Sequence, residues 1–462
     1  MKFILIILFF IQINLVFSQS NQFLGSWIGK IKTTGVELRI AFHITEKEGI
    51  TITKMDSPDQ NSFGNSAYNT VINDSSIVID LPLIGAKYIG IINNDVINGE
   101  FNQAGLELPL VLNRFDGVIS APKRPQQPTA PFDYEIKEVT IKTADEKVKL
   151  SGTLTIPKGK GPFPAVVLVS GSGPQDRNEE LMGHQPFLVL ADHLTKNGIV
   201  VLRYDDRGVG KSTGDFNVAT SFDFADDAEA AFKLLLKQKK INPLQIGILG
   251  HSEGGLIAPI VASRNKDVKF IISMAGPSIP GSEIILDQQE LIMRISETDE
   301  NEINQQQELN KKILDFITLN VSSSNLQNEL SNNIETWVKE INYLVPKHLS
   351  AKTFAKQTAY SFTTNWMKTF ITTSPDEYIK SLTIPILALF GEKDLQVSPR
   401  ANLIPMQQLL QSHKQSEVYV FPNLNHLFQT ANTGSPSEYQ LIEETLSPIF
   451  LDFVTNWIKQ LK

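Results

Sequence analysis

Two textures of hydrophobic patterning divide the chain. Between residues 19 and 116, short alternating runs such as Val36–Ile40, Ile77–Leu81, Tyr88–Ile92 and Leu108–Leu112 are separated by Gly, Asn, Asp and Ser turns. Alternation with period two puts every second side chain on one face, so these runs predict a small antiparallel β-sheet or barrel. Pro122, Pro125, Pro128 and Pro131 follow, and residues 117–132 read as a stiff, extended linker at a domain boundary.

From residue 133 the period changes. Ile136–Lys142 and Lys149–Ile156 read as a β-hairpin around Ala144-Asp145. Continuous apolar strands then alternate with amphipathic helices. The strands are Pro164–Ser170, Ile199–Arg203, Gln245–Leu249, Phe270–Met274, Pro385–Phe390 and Glu417–Phe421. The helices lie near Pro186–Asn197 and Phe222–Lys239, from Glu253 onward, and over Leu441–Leu461 at the end. Strands apolar on both faces and separated by helices predict a mostly parallel sheet covered on both sides. The alternation is interrupted over about residues 276–375. Within that span, 283–344 carries Leu and Ile at helical spacing among Gln, Asn and Glu, as a helical insertion between two strands would.

Composition narrows the class. The apolar share of 41% supports a sizeable core, and the charged share of 20% argues against disorder. The net charge is −8, with no basic stripe interleaved with aromatics, so no electrostatic footprint for nucleic acid is present. There are no cysteines, which excludes disulfides, thiol catalysis and thiolate metal sites. Lys2 followed by the Ile-, Leu- and Phe-rich stretch to Phe17 reads as a signal peptide over residues 1–18, with cleavage before Gln19. The stretch is shorter than the roughly 20 apolar residues needed to span a bilayer. Export to the periplasm or medium without stable membrane insertion is therefore expected, a retained anchor being the alternative. No pattern sets an oligomeric state.

The sharpest local signal is Gly250-His251-Ser252-Glu253-Gly254-Gly255, between a strand and a helical stretch. A serine at the tip of so tight a strand-to-helix turn needs glycines around it, and the amides of the following helix favour negative charge there. A serine nucleophile needs a base, and the base needs an acid to orient it, in the chain order Ser, acid, His. Asp394 lies just past the strand Pro385–Phe390, and His426 lies 32 residues on, just past the last strand, so both loops reach the same rim. Glu392 is a rival acid. Of the other histidines, His184 and His193 flank a helix, His413 ends one, His43 and His348 belong to other regions, and His251 is expected to point elsewhere on the turn. An oxyanion hole would use the backbone N–H of Glu253 and one from the loop 170–177, for which Ser172 is the best choice. Gly208-Val209-Gly210-Lys211-Ser212 imitates the end of a phosphate-binding loop, but Asp205 stands where its first glycine belongs. That segment, with Arg203-Tyr204-Asp205-Asp206-Arg207, instead reads as a charge-paired loop bracing the rim.

These pieces together resemble bacterial α/β-hydrolases of the carboxylesterase and serine-aminopeptidase-like group that carry a small β-rich N-terminal domain. The resemblance rests on Ser170–Arg177, Arg203–Gly210, Gly250–Gly255, Gly391–Val397 and Asn425–Gln429, and covers residues 133–462. It implies an α/β-hydrolase fold with a helical cap, a Ser252–Asp394–His426 triad, and hydrolysis of carboxylic esters through an acyl-enzyme. It also implies a small-molecule ester substrate, no cofactor and no metal. Many relatives begin the loop after the third strand with His-Gly, where this chain has Ser170-Gly171. An aminopeptidase or dipeptidyl-peptidase-like amide hydrolase is the main alternative, with Glu253 holding a substrate amino group. A non-catalytic envelope-binding protein is the other.

Overall fold

The computed structural model describes residues 22–461, apart from 34–35, 61, 104–105, 118–122, 145, 347–348 and 414. The leader expected over residues 1–18 lies outside the described residues. Two compact units result, Met1–Ala121 and Pro122–Lys462.

Among the described residues of the first unit, nine antiparallel strands form one sheet: β1 (Gly25–Thr33), β2 (Val36–Lys47), β3 (Ile50–Ser57), β4 (Ser62–Ser66), β5 (Asn69–Asn73), β6 (Ser76–Leu81), β7 (Ala86–Asn93), β8 (Val96–Gln103) and β9 (Leu106–Arg114). Their order is β4-β3-β2-β1-β9-β8-β7-β6-β5. The alternation seen in the sequence is kept: β7 is buried at every second position. Asn94 and Asp95, both at positive φ, make the tight turn from β7 to β8. Ala67 N–H donates to the Thr53 carbonyl at 2.9 Å, and the Thr70 hydroxyl donates to the Thr53 hydroxyl at 2.8 Å. The two ends of the sheet are thereby brought round as a half-barrel. Its interior is filled by Trp27, Phe42, Tyr88, Phe101, Leu110 and Leu112, among others. The Trp27 indole donates to the Phe23 carbonyl at 2.7 Å, and the Arg114 guanidinium lies 4.3 Å from its ring centroid.

In the second unit, β10 (Glu135–Lys142) and β11 (Lys149–Ile156) form the expected hairpin. They lead into β12 (Phe163–Val169), α1 (Pro186–Lys196), β13 (Val200–Tyr204), α2 (Ser221–Leu236), β14 (Ile241–His251), α3 (Glu253–Arg264) and β15 (Phe270–Met274). The sheet order, including β16 (Ile386–Gly391) and β17 (Glu417–Phe421), is β10-β11-β13-β12-β14-β15-β16-β17, parallel from β13 onward. This is the α/β-hydrolase arrangement. Between β15 and β16 the described residues of the insertion form six helices: α4 (Gly281–Ile295), α5 (Glu300–Asn320), α6 (Leu326–Glu340), α7 (Ala351–Phe362), α8 (Asn365–Thr372) and α9 (Asp376–Ile379). Leu309, Ile313, Leu330, Ile334, Ala355 and Ile371 give this cap a core of its own. Helix α10 (Pro399–Leu410) joins β16 to β17, and α11 (Pro448–Gln460) closes the chain. One face of the sheet packs on α1 and α11, the other on α2, α3 and α10.

Two boundaries differ from the sequence expectation. The last helix begins at Pro448 rather than Leu441, because residues 439–446 are held as a loop by side chains elsewhere. Residues 123–132 belong to the second unit. The Arg124 guanidinium donates to the Met182, Gln440 and Ile442 carbonyls, and Gln126 donates to the Leu446 carbonyl. Among the described residues no helix is long and apolar enough to cross a membrane.

Trp27 is fully buried at the centre of the half-barrel. Trp27→Ala removes that volume and is expected to destabilise the first unit by about 3–5 kcal/mol. The check is urea denaturation followed by circular dichroism, where an unchanged midpoint would contradict this placement.

Candidate active site

The site is built where four parallel strands end. Strand β14 runs directly into Ser252, which takes φ 53°, ψ −117°, and α3 starts at the next residue. A non-glycine residue rarely adopts a positive φ, and here the surroundings enforce it. A Cβ at Gly250 would lie 1.9 Å from the Gly254 carbonyl oxygen, and one at Gly254 would lie 2.2 Å from the Val169 carbonyl oxygen. A Cβ at Gly255 would meet the Gly276 Cα at 2.5 Å. The backbones therefore touch, and Ser252 is pushed out at the turn with its N–H donating to the Met274 carbonyl at 2.9 Å.

His426, in the loop after β17, and Asp394, after β16, are brought together. His426 Nδ1 lies 2.8 Å from Asp394 Oδ2, with both side chains buried. Asp394 Oδ1 accepts from the N–H groups of Gln396 at 2.7 Å and Val397 at 2.9 Å, so the carboxylate is fixed on both oxygens. The rival acid, Glu392, faces away and accepts from the Asn423 N–H at 2.8 Å. The Ser252 hydroxyl has no hydrogen-bond partner among the described residues, so a Ser252–His426 bond is not formed in this geometry.

The loop 170–177 packs on the turn, with a Cβ built at Gly171 falling 3.1 Å from the Ser252 Cβ. The Gly171 N–H is already used, donating to Glu179 Oε1 at 2.8 Å. The N–H groups of Ser172 and Glu253 have no acceptor among the described residues and stay available to a ligand oxygen. Buried acids hold this loop from behind. Asp206 accepts from the Ser170 hydroxyl and the Gln175 N–H, each at 3.1 Å. Asp205 takes the Arg177 guanidinium through two hydrogen bonds of 2.9 and 2.8 Å. Burial pushes Asp206 well above the ordinary carboxylate range, with the nearby Glu253 and Asp227 charges acting in the same direction. The segment Arg203–Arg207 thus braces the rim, Arg207 in turn being held by Asp227 at 2.7 and 2.9 Å.

His251 departs from expectation. Its ring does not turn aside: Nδ1 lies 2.8 Å from Glu179 Oε1 and Nε2 lies 3.0 Å from the His426 carbonyl, with the two imidazole centroids 4.8 Å apart. Burial lowers its proton affinity. The Glu179 charge and hydrogen bond, with the His426 carbonyl, more than offset that and hold His251 above its ordinary value. Glu179 therefore ties the loop 170–177 to the backbone of His426. Its partner set could not be read from the sequence, where it stands beside Glu180 as one of two apparently solvated acids.

His184 supports the other side of the His426 loop. Its ring bonds the Tyr439 carbonyl at 2.8 Å and the Thr445 hydroxyl at 3.0 Å, and Gln429 lies 3.1 Å away. Among the described residues no group of three or more His, Asp or Glu is gathered as metal ligands would be.

The family described as serine aminopeptidase, S33, matches residues 184–430. Esterase EstD of Thermotoga maritima is 28% identical over 329 residues, spanning 71% of this chain and 68% of that protein. An esterase of Pyrococcus furiosus is 17% identical with a TM-score of 0.42, over 74% of this chain and 97% of that one. Est1E of Butyrivibrio proteoclasticus, solved with bound ferulic acid, is 16% identical with a TM-score of 0.38, over 70% and 96% respectively.

Burial, joined by the Arg124 charge, pushes His184 down to about 4 from its ordinary 6.5. The unfolded chain therefore takes up a proton below pH 6.5 that the folded one refuses. Stability present above that value is lost as the pH falls towards 4, by up to about 1.4 kcal/mol per pH unit. Urea midpoints measured between pH 4 and 7.5 should fall with acid less steeply in His184→Gln than in the wild type; identical profiles would exclude this source.

Proposed function

The chain belongs to the serine aminopeptidase S33 family of hydrolases, and from that premise we propose that it cleaves carboxylic esters, with Ser252 as nucleophile, His426 as base and Asp394 as the acid that orients it. The observation that carries this reading is Ser252 held at positive φ beside the unoccupied amides of Ser172 and Glu253, at the edge where His426 and Asp394 are paired. His426 Nε2 takes the Ser252 proton as the oxygen attacks the acyl carbon. Asp394, on Nδ1, fixes the tautomer and stabilises the imidazolium. The two amides and the start of α3 receive the oxyanion, the alcohol leaves with the proton from His426, and water then releases the acid. The Ser252–His426 hydrogen bond is left to the substrate complex, since catalytic hydrogen bonds often tighten only with substrate present.

Amide hydrolysis is the second reading, favoured by the family's own description as serine aminopeptidases. Such an enzyme needs an acid to hold the substrate's ammonium group. The residue that the sequence offers for this, Glu253, has its carboxyl occupied by Ser221 and Trp366. The similarity to Esterase EstD supports the ester reading.

Ser252→Ala should lower kcat on nitrophenyl esters by about a thousandfold or more, and Asp394→Asn by a comparable factor, whereas Glu392→Gln leaves it near wild type. Retained activity in Ser252→Ala would sink the nucleophile assignment. Faster turnover of aminoacyl or dipeptidyl amides than of esters would sink the ester reading. We also propose that the protein is exported: N-terminal sequencing of the mature chain from a bacterial host is expected to begin at Gln19, and a chain starting at Met1 would refute cleavage.

A further inference from the structure

Among the described residues, the carboxyl directly after Ser252 has no ionic partner. Glu253 is 2% exposed. Its Oε1 accepts from the Ser221 hydroxyl at 2.6 Å and from the Trp366 indole N–H at 2.8 Å, and the Ser172 side chain is the third polar group beside the carboxyl. These partners come from three separate parts of the fold: the first turn of α2, helix α8 of the cap, and the loop carrying one of the two free amides. All three are uncharged.

The ionisable groups around it are committed elsewhere. Asp206, after β13, is an acid and no counter-ion, and is itself held by Ser170 and Gln175. On the turn, His251 is engaged with Glu179 and the His426 carbonyl. On α2, Asp223 caps its own helix and bonds Arg207, and Asp227 bonds Arg207 as well. On α8 the group that reaches Glu253 is the indole. Among the described residues no Lys, Arg or His side chain bonds this carboxyl.

A buried charge without a counter-ion is costly. Here it would also stand beside the amides that receive a developing oxyanion, where two like charges repel strongly. Resting on the ester-hydrolase reading, we propose that Glu253 is a positioning residue that works as a neutral carboxylic acid, tying the Ser172 loop and the cap Trp366 to the oxyanion hole without placing a negative charge beside it. In that form the carbonyl oxygen accepts from Ser221 and Trp366, and the acid O–H donates to the Ser172 hydroxyl. Burial pushes this carboxyl above the ordinary range, against Ser221, Trp366 and Ser172, whose polar groups favour the ionised form. Its backbone N–H and its side chain then serve the same oxygen, one directly and one through Ser172.

The consequence is an alkaline loss of rate that belongs to Glu253. Raising the pH ionises the carboxyl, and kcat falls because the transition state meets a repulsive charge. Glu253→Gln reproduces the neutral acid, accepting from Ser221 and Trp366 through its oxygen and donating to Ser172 through its amide. The experiment is the pH profile of kcat for wild type, Glu253→Gln, Glu253→Ala and Trp366→Phe on one nitrophenyl ester, with circular dichroism to establish folding. We expect Glu253→Gln to stay within about threefold of the wild-type maximum and to lose the alkaline decline, while Glu253→Ala falls about a hundredfold. Trp366→Phe withdraws a donor from the ionised form, so its decline moves to higher pH. This arm decides the matter if Glu253→Gln does not fold.

A folded Glu253→Gln as impaired as Glu253→Ala would show that the charge itself is required, and a decline that persists in Glu253→Gln or does not move in Trp366→Phe would assign it to another group. Either result overturns the proposal. Failure of the ester-hydrolase reading is separately visible as activity that survives Ser252→Ala.

Discussion

Main-chain contact at the turn after β14 is the constraint on which the rest of the site depends. Gly250, Gly254 and Gly255 bring the ends of β12, β14 and β15 within van der Waals reach of the start of α3, with distances that leave no space for a Cβ. Contact between backbones is stiff in a way that side-chain packing is not, because no rotamer can relieve it. Ser252 therefore sits at φ 53° as the geometric result of its neighbours, and the two free amides are aimed by the same packing. Placement of the Ser252 side chain becomes a property of the sheet core, which is the most cooperative part of such a fold.

Around that rigid point the loops are held by buried polar groups. Glu179 grips Gly171 and, through His251, the backbone of His426. Asp206 grips Ser170 and Gln175, and Asp205 grips Arg177. Apart from Glu179–Gly171, eight residues apart, these contacts join segments at least 28 residues apart, so the loop 170–177 and His426 are held by one connected network. Buried networks of this kind are costly when half satisfied and specify a single arrangement when complete. The site thus concentrates acid groups where one would expect positive charge, and the backbone amides rather than cationic side chains are left to meet an anion.

Much of the framework was legible in the sequence for a plain physical reason. Apolar runs such as Val166–Val169, Ile248–Leu249 and Leu387–Phe390 must be buried on both faces, and glycines clustered around Ser252 mark a point where main chains meet without room for side chains. The pairing of His426 with Asp394 follows from the position of their loops after β17 and β16. Other features stayed hidden because they depend on what lies across a tertiary contact. A buried Glu179 looks like the solvated Glu180 beside it. His251 looked idle because its partners are 72 and 175 residues distant in the chain. Helical spacing in the cap predicted helices, yet it could not single out Trp366 as the side chain that reaches Glu253. Apolar spacing extends the last helix back to Leu441, while the hydrogen bonds that hold residues 439–446 as a loop come from His184 and Gln126.

The strap of residues 123–127 has a modular implication. Arg124 and Gln126 donate to carbonyls at 440, 442 and 446, in the loop that lies between the His426 segment and α11. What resembles a tether between two domains is, over this short span, structural material of the hydrolase unit. An evolutionary or laboratory exchange of the half-barrel would leave the edge that carries Ser252 and His426 untouched only if the splice fell ahead of Arg124. A cut at the first sheet strand, β10, would remove the fastening from behind the histidine loop.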